Sequence, residues 1–129
     1  MTPAPHALET LAAIHNSEHD QVLLSNTKDE SVPFYVSALG IGDYFSTENA
    51  IAVNQHAKNA TRTKQMAIEA YIGNQPYDRL IVIGDSGGDM ALAEAIGATG
   101  YLYAHPGVRF RAESGDHHIH DLRQILQEL

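Results

Sequence analysis

The chain has 129 residues, 43% of them hydrophobic and 19% charged, which is one globular domain's worth with enough apolar content for a real core. Its net charge of −8 argues against nucleic acid or an anionic membrane as partner, and the absence of cysteine excludes disulfides, thiolate metal sites and thiol catalysis. No apolar run approaches the roughly 20 residues of a membrane span, and the start, Met1-Thr2-Pro3-Ala4-Pro5-His6, lacks the basic opening of a signal peptide. A cytoplasmic protein is the expectation.

In chain order, Leu8, Leu11, Ala12 and Ile14 have helical spacing and predict a helix over Ala7–Asn16. Gln21-Val22-Leu23-Leu24-Ser25 reads as a strand covered on both faces. Residues Ser31 to Leu39 suggest a helix with Pro33 in its first turn and Gly40 as its stop. Ala50-Ile51-Ala52-Val53 is a weak strand. Thr63 is placed to cap a helix over Lys64–Ile72, striped by Met66, Ala67, Ala70 and Tyr71 and ended by Gly73. Leu80-Ile81-Val82-Ile83 is the clearest strand and runs into Gly84-Asp85-Ser86-Gly87-Gly88-Asp89. A helix follows over Met90–Ile96, stopped by Gly97. Tyr101-Leu102-Tyr103 reads as a strand, its two tyrosines as packing residues. Ile119, Leu122, Ile125, Leu126 and Leu129 are spaced for a closing amphipathic helix. Strands alternating with helices imply βαβ units, a parallel sheet and right-handed crossovers, hence an α/β fold.

Open parallel sheets bind ligands outside the carboxyl ends of their strands. Two predicted strands end in polar residues there, Ser25-Asn26-Thr27 and Asp85, and parallel pairing would set Ser25 and Asp85 on one rim. Asp89 follows Asp85 across a glycine-rich turn, so that two carboxylates can face one cation. Hard oxygen donors without cysteine suit Mg²⁺ better than zinc. Read alone, Asp89 is equally well the N-cap of a helix starting at Met90, and Ser25 a turn-forming hydroxyl. Asp85 is harder to dismiss, because a carboxylate ending an apolar strand needs compensation. Between Glu48 and Glu69 there is no acid, yet Lys58, Arg62 and Lys64 fall there, a local basic island suited to an anionic substrate. Lys58 and Arg62 fit an ordinary solvated loop. Lys64 stands at a helix start, against the helix dipole, and so calls for an anion or a carboxylate nearby.

Taken together, Val22-Leu23-Leu24-Ser25-Asn26-Thr27, Lys64 and Ile81-Val82-Ile83-Gly84-Asp85-Ser86-Gly87-Gly88-Asp89 resemble the second, third and fourth motifs of the haloacid dehalogenase-like (HAD) hydrolases. Gly40–Phe45 and Tyr101–Gly107 also look like that family's core, so the likeness covers most of the chain. The resemblance implies a three-layer, Rossmann-like parallel sheet over 1–129 as a single core domain with no cap visible. It implies that Ser25 and Asn26 bind a phosphoryl oxygen, that Lys64 neutralises charge and orients the nucleophile, and that Asp85 and Asp89 hold Mg²⁺. Lys58 is second choice for the lysine role. The family's first motif, a hydrophobic strand ending in Asp-x-Asp, occurs nowhere in this sequence. The expectation is therefore a Mg²⁺-dependent phosphatase of a small phosphorylated metabolite, incomplete without its nucleophile strand and prone to self-association through an open sheet. A missing N-terminal segment in the natural gene product would account for the gap. The alternative is an inactive binding or regulatory module, and a dehalogenase shares the Ser-Asn pair. Two serine-hydrolase readings of Gly84-Asp85-Ser86-Gly87-Gly88 fail. The chymotrypsin pattern needs an all-β double barrel, and the GDSL-type esterase pattern needs an Asp–His offset that Asp116-His117-His118-Ile119-His120 lacks. The histidines of that run read as solvated residues ahead of a helix.

Overall fold

A computed structural model describes residues 5–17, 19–25, 39–42, 44–45, 50–52, 64–74 and 77–128. The element order is α1 (Ala7–His15), β1 (Leu23–Ser25), β2 (Ala50–Ala52), α2 (Lys64–Ile72), β3 (Ile81–Gly84), α3 (Gly87–Ile96), β4 (Thr99–Tyr103), β5 (His117–Ile119) and a 3₁₀ helix (Leu122–Glu128). The fold is α/β with parallel strands, as the alternation of elements implies. The predicted helix over 31–39 falls, save Leu39, outside the described residues, as does the Thr63 cap.

Among the described residues the strands form two separate parallel sheets, β1-β2 and β3-β4-β5. Ser25 closes β1 opposite Ala52. In the second sheet Gly84 lies opposite Leu102, and Tyr103 opposite Ile119. No described ladder joins β1 to β3, so the expected single rim shared by Ser25 and Asp85 is not built by direct pairing of their strands. Each sheet has its own core. Ile41 and Phe45 gather Leu11, Leu23, Leu39, Tyr44 and Ala50 in one, while Tyr101, Ile119 and Ile125 gather Ile81 and Tyr103 in the other. β4 is the middle strand of three, and its Leu102 is fully buried, a burial that stabilises by roughly 1.5–3 kcal/mol.

Four expectations need correction. The helix read from Met90 begins at Gly87, because Ser86, in extended backbone, serves as its N-cap in place of Asp89. On α2 only Ala67 of the expected stripe is buried, and Met66 is 51% exposed. β1, expected to be covered on both faces, is only half-buried at Leu23 and Leu24. The closing helix is a strand plus a 3₁₀ helix. Ile119 pairs in β5, and the spacing of three between Leu122 and Ile125 fits a turn of three residues as well as an α-helical stripe. The histidines before it thus lie in or beside a strand, still solvent-exposed. Among the described residues no helix is long and apolar enough to cross a membrane.

Candidate phosphoryl and metal site

The site grows from the turn between β3 and α3. Ser86 caps α3 by accepting from the Asp89 N–H at 3.2 Å, and its own hydroxyl donates back to Asp89 Oδ2 at 3.0 Å. A hydroxyl has one proton and two lone pairs, so it satisfies both bonds at once. The Asp85 N–H also donates to Asp89 Oδ2, at 3.2 Å. Asp89 sits in the first turn of α3, where a negative charge is favoured by the helix dipole. This turn tolerates no side chain at Gly84. A Cβ there would stand 2.3 Å from Asp89 Cβ and 2.4 Å from Asp89 Oδ2.

Lys64 arrives from the first residue of α2 and donates from Nζ to Asp89 Oδ1 at 3.0 Å. The carboxylate that its position at a helix start called for is therefore Asp89. Both side chains are largely covered, at 22% and 17% exposure, so the pair is shielded from water more than a surface ion pair. Burial pushes the Asp89 carboxyl upward. The Lys64 hydrogen bond and charge, the Ser86 hydroxyl and the Asp85 N–H outweigh it and hold the group below its ordinary value of 3.8.

Asp85 faces the other way. Its side chain is 57% exposed and meets Arg111 Nη1 at 3.2 Å. The two carboxylates are thus differently employed: Asp89 spends both oxygens on three donors, while Asp85 presents its carboxylate to solvent beside one mobile-length side chain. That donor set fits a hard divalent cation of the Mg²⁺ kind, which takes one or two carboxylates, keeps several waters and accepts substrate phosphate oxygens as further ligands. Among the described residues no group of three or more histidines, cysteines and acids gathers in the manner of an all-protein metal cage.

Lys64 is thus brought onto Asp89, and the Asp85 N–H with it, but the Asp85 carboxylate turns to Arg111, so the two carboxylates do not face one point as the sequence suggested. Ser25 ends β1 at the carboxyl end of a strand in the other sheet, and Asn26, Lys58 and Arg62 lie outside the described residues. Two participants escaped the sequence reading. Ser86 was legible as the first residue of Ser-x-x-Asp ahead of an apolar run. Arg111 belongs to a second acid-free stretch, between Glu94 and Glu113, of the same type that singled out Lys64.

A family model described as haloacid dehalogenase-like hydrolase matches residues 1–97, which carry every site residue except Arg111. The chain belongs to the haloacid dehalogenase-like hydrolases. Among solved structures, this HAD-like chain is similar to a conserved haloacid dehalogenase-like protein of unknown function from Agrobacterium tumefaciens. The TM-score is 0.73 at 13% identity, over 98% of this chain and 59% of the other. At that identity the likeness speaks for the fold, and the chain spans 59% of the length of that neighbour. No curated protein matches the chain significantly.

Proposed function

We propose that this HAD-like chain supplies the phosphate- and Mg²⁺-binding side of a phosphatase acting on a small phosphorylated metabolite, in the cytoplasm. The observation that carries the reading is the Lys64–Asp89 pair, held at 3.0 Å across 25 positions of sequence and set beside an exposed Asp85. Lys64 places a fixed ammonium where phosphoryl charge accumulates, and Asp89 keeps that ammonium in place. Asp85 is the direct ligand for the cation, with Asp89 behind it. When bound, the metal neutralises phosphoryl oxygens and so favours attack by an anionic nucleophile. Ser25 and Asn26 hold a further phosphoryl oxygen.

The nucleophile is the part this sequence does not provide, since it holds no Asp-x-Asp after a strand. In the family's mechanism an aspartate oxygen attacks phosphorus as the ester P–O bond breaks, the leaving alkoxide takes a proton, and water then hydrolyses the aspartyl-phosphate. We assign that aspartate to a strand lying between β1 and β3. Support comes from β3, whose run Ile81-Val82-Ile83 has the apolar character of a central strand while remaining half-buried. Lacking such a strand, the chain is expected to self-associate through its open edges.

Titration calorimetry with Mg²⁺ in the presence of inorganic phosphate tests the metal assignment on the chain as it stands. Asp85→Asn should weaken Mg²⁺ binding by roughly tenfold or more, while the far-ultraviolet circular dichroism stays unchanged. Equal Mg²⁺ affinity in the two proteins would remove Asp85 from the metal site.

A further inference from the structure

A second feature stands at the same rim and has no part in the site above. After β4 the chain turns at Pro106-Gly107, where Gly107 adopts φ +81° and the Val108 N–H donates to the His105 carbonyl at 2.9 Å. A proline followed by a residue of positive φ is the pattern of a type II turn, which only glycine adopts without strain. The turn launches the segment 108–113 beside a cleft of about 520 Å³, lined among others by Val108, Arg109, Phe110, Glu113, His118 and His120. Phe110 packs across both histidines, with ring centroids 4.9 Å from His118 and 4.4 Å from His120.

The histidines are locked by the backbone. His120 Nδ1 lies 3.1 Å from the Ala104 carbonyl and 3.2 Å from that of His105, and His118 Nε2 lies 2.9 Å from the Ser114 carbonyl. A carbonyl only accepts, so each of those nitrogens carries its proton, and His120 Nε2 and His118 Nδ1 remain as the free ring atoms. The cleft therefore has a fixed aromatic wall, an apolar lining residue in Val108, which is 51% exposed, and an arginine, Arg109, in the same lining.

That guanidinium is the unusual element. Among the described residues Lys64, Arg79, Arg111 and Arg123 each meet an aspartate or glutamate. Arg109 has no such ion pair among the described residues, in a chain of net charge −8. The segment that lines the cleft also reaches the candidate site. Arg111, in the same segment, bonds Asp85, and Ala112, which lines the cleft, would lie 3.7 Å from a Cβ on Gly87 at the head of α3.

Resting on the phosphatase reading, we infer that this cleft receives the leaving part of the phosphoester, and that it selects leaving groups carrying a second anionic group, a carboxylate or a phosphate, held by Arg109. A cation without an ion pair among the described residues, beside an aromatic and apolar wall, gives such a group a charge partner and its carbon skeleton a surface to cover. Glu113, in the same lining, disfavours the anion and so limits how tightly it is held.

The test measures binding to the chain as it stands, by nuclear magnetic resonance titration with Mg²⁺ present. The probes are phosphoglycolate, its longer straight-chain homologues with a terminal carboxylate, and matched esters ending in a methyl group. At least one carboxylate-ended ester should bind roughly five- to tenfold more tightly than its methyl-ended match. Arg109→Ala should abolish that advantage and leave the methyl-ended esters unaffected, whereas Glu113→Gln should enlarge it. A terminal phosphate in place of the carboxylate distinguishes the two anions by which gains more. Equal binding of the paired probes by the unaltered chain, or an advantage that survives Arg109→Ala, overturns the inference and leaves the phosphoryl site standing. If no phosphoester of either kind perturbs the Lys64 and Asp85 resonances, the phosphatase reading itself fails and takes the inference with it.

Discussion

Around β1 and β2, two strands of three residues lean on Ile41 and Phe45, whereas the region from residue 64 onward pairs three strands about a fully buried Leu102. The regions communicate through α1 packed on the 3₁₀ helix and through the Tyr77 hydroxyl, which donates to Asp20 Oδ2 at 2.8 Å. That bond also lifts the Tyr77 phenol to about 12. The difference bears on chemistry. Every described side chain of the candidate site comes from the second region, where Lys64, Ser86 and Asp89 hold one another in place. The phosphoryl contact proposed for Ser25 would depend on how the β1 sheet is set against the β3 sheet. The proposed cation-binding half is built, among the described residues, from the β3–α3 turn and the start of α2.

The largest effects should separate the two cores. Leu102→Ala is expected to cost about 3 kcal/mol and to open the Asp85 and Asp89 amides to hydrogen exchange. Phe45→Ala should cost a similar amount but leave those two amides protected. Equal exchange in both variants would show that the regions unfold as one unit.

Next in size is the turn. Gly84→Ala forces a methyl group into the space of Asp89, which the helix backbone anchors, and should cost about 2 kcal/mol in thermal or denaturant unfolding. An unchanged midpoint would mean that the turn relaxes freely and that the carboxylate is not held as described.

Lys64→Met is expected to cost roughly 1–2 kcal/mol near neutral pH, because it leaves a half-buried carboxylate short of its cation. The pH dependence fixes the sign. The folded Asp89 carboxyl lies below its ordinary 3.8, so the stability it contributes is present above that value and is lost as pH falls through the lower folded value. The gap between the unaltered chain and Lys64→Met should accordingly close on acidification. A gap independent of pH would indicate lost packing and not a lost ion pair.

Much of this architecture was readable from residue order. The apolar runs before Ser25 and Asp85, the glycine after Ile96 and the lysine at a helix start each reported a strand end, a helix stop and a buried carboxylate partner. What was not readable has physical causes. Ser86 and Asp89 are both good cap residues, and only the exchange of hydrogen bonds between them decides that the first caps and the second pairs with Lys64. The strand at His117–Ile119 carries two exposed histidines, with no apolar alternation to announce it, and is held by its register against Tyr101–Tyr103. Arg111 reaches Asp85 through a loop whose path depends on the Pro106-Gly107 turn, and local sequence spacing carries no record of that contact.

The most direct test of the central claim is an assay of the purified chain on a generic phosphate ester with Mg²⁺, run beside Asp85→Asn. A site that holds phosphate and cation but lacks an attacking aspartate should bind both and turn over neither protein's substrate measurably. Robust hydrolysis by the chain that disappears in Asp85→Asn would contradict the account, and would require another residue of this sequence, Asp29 being the first to examine, to act as nucleophile.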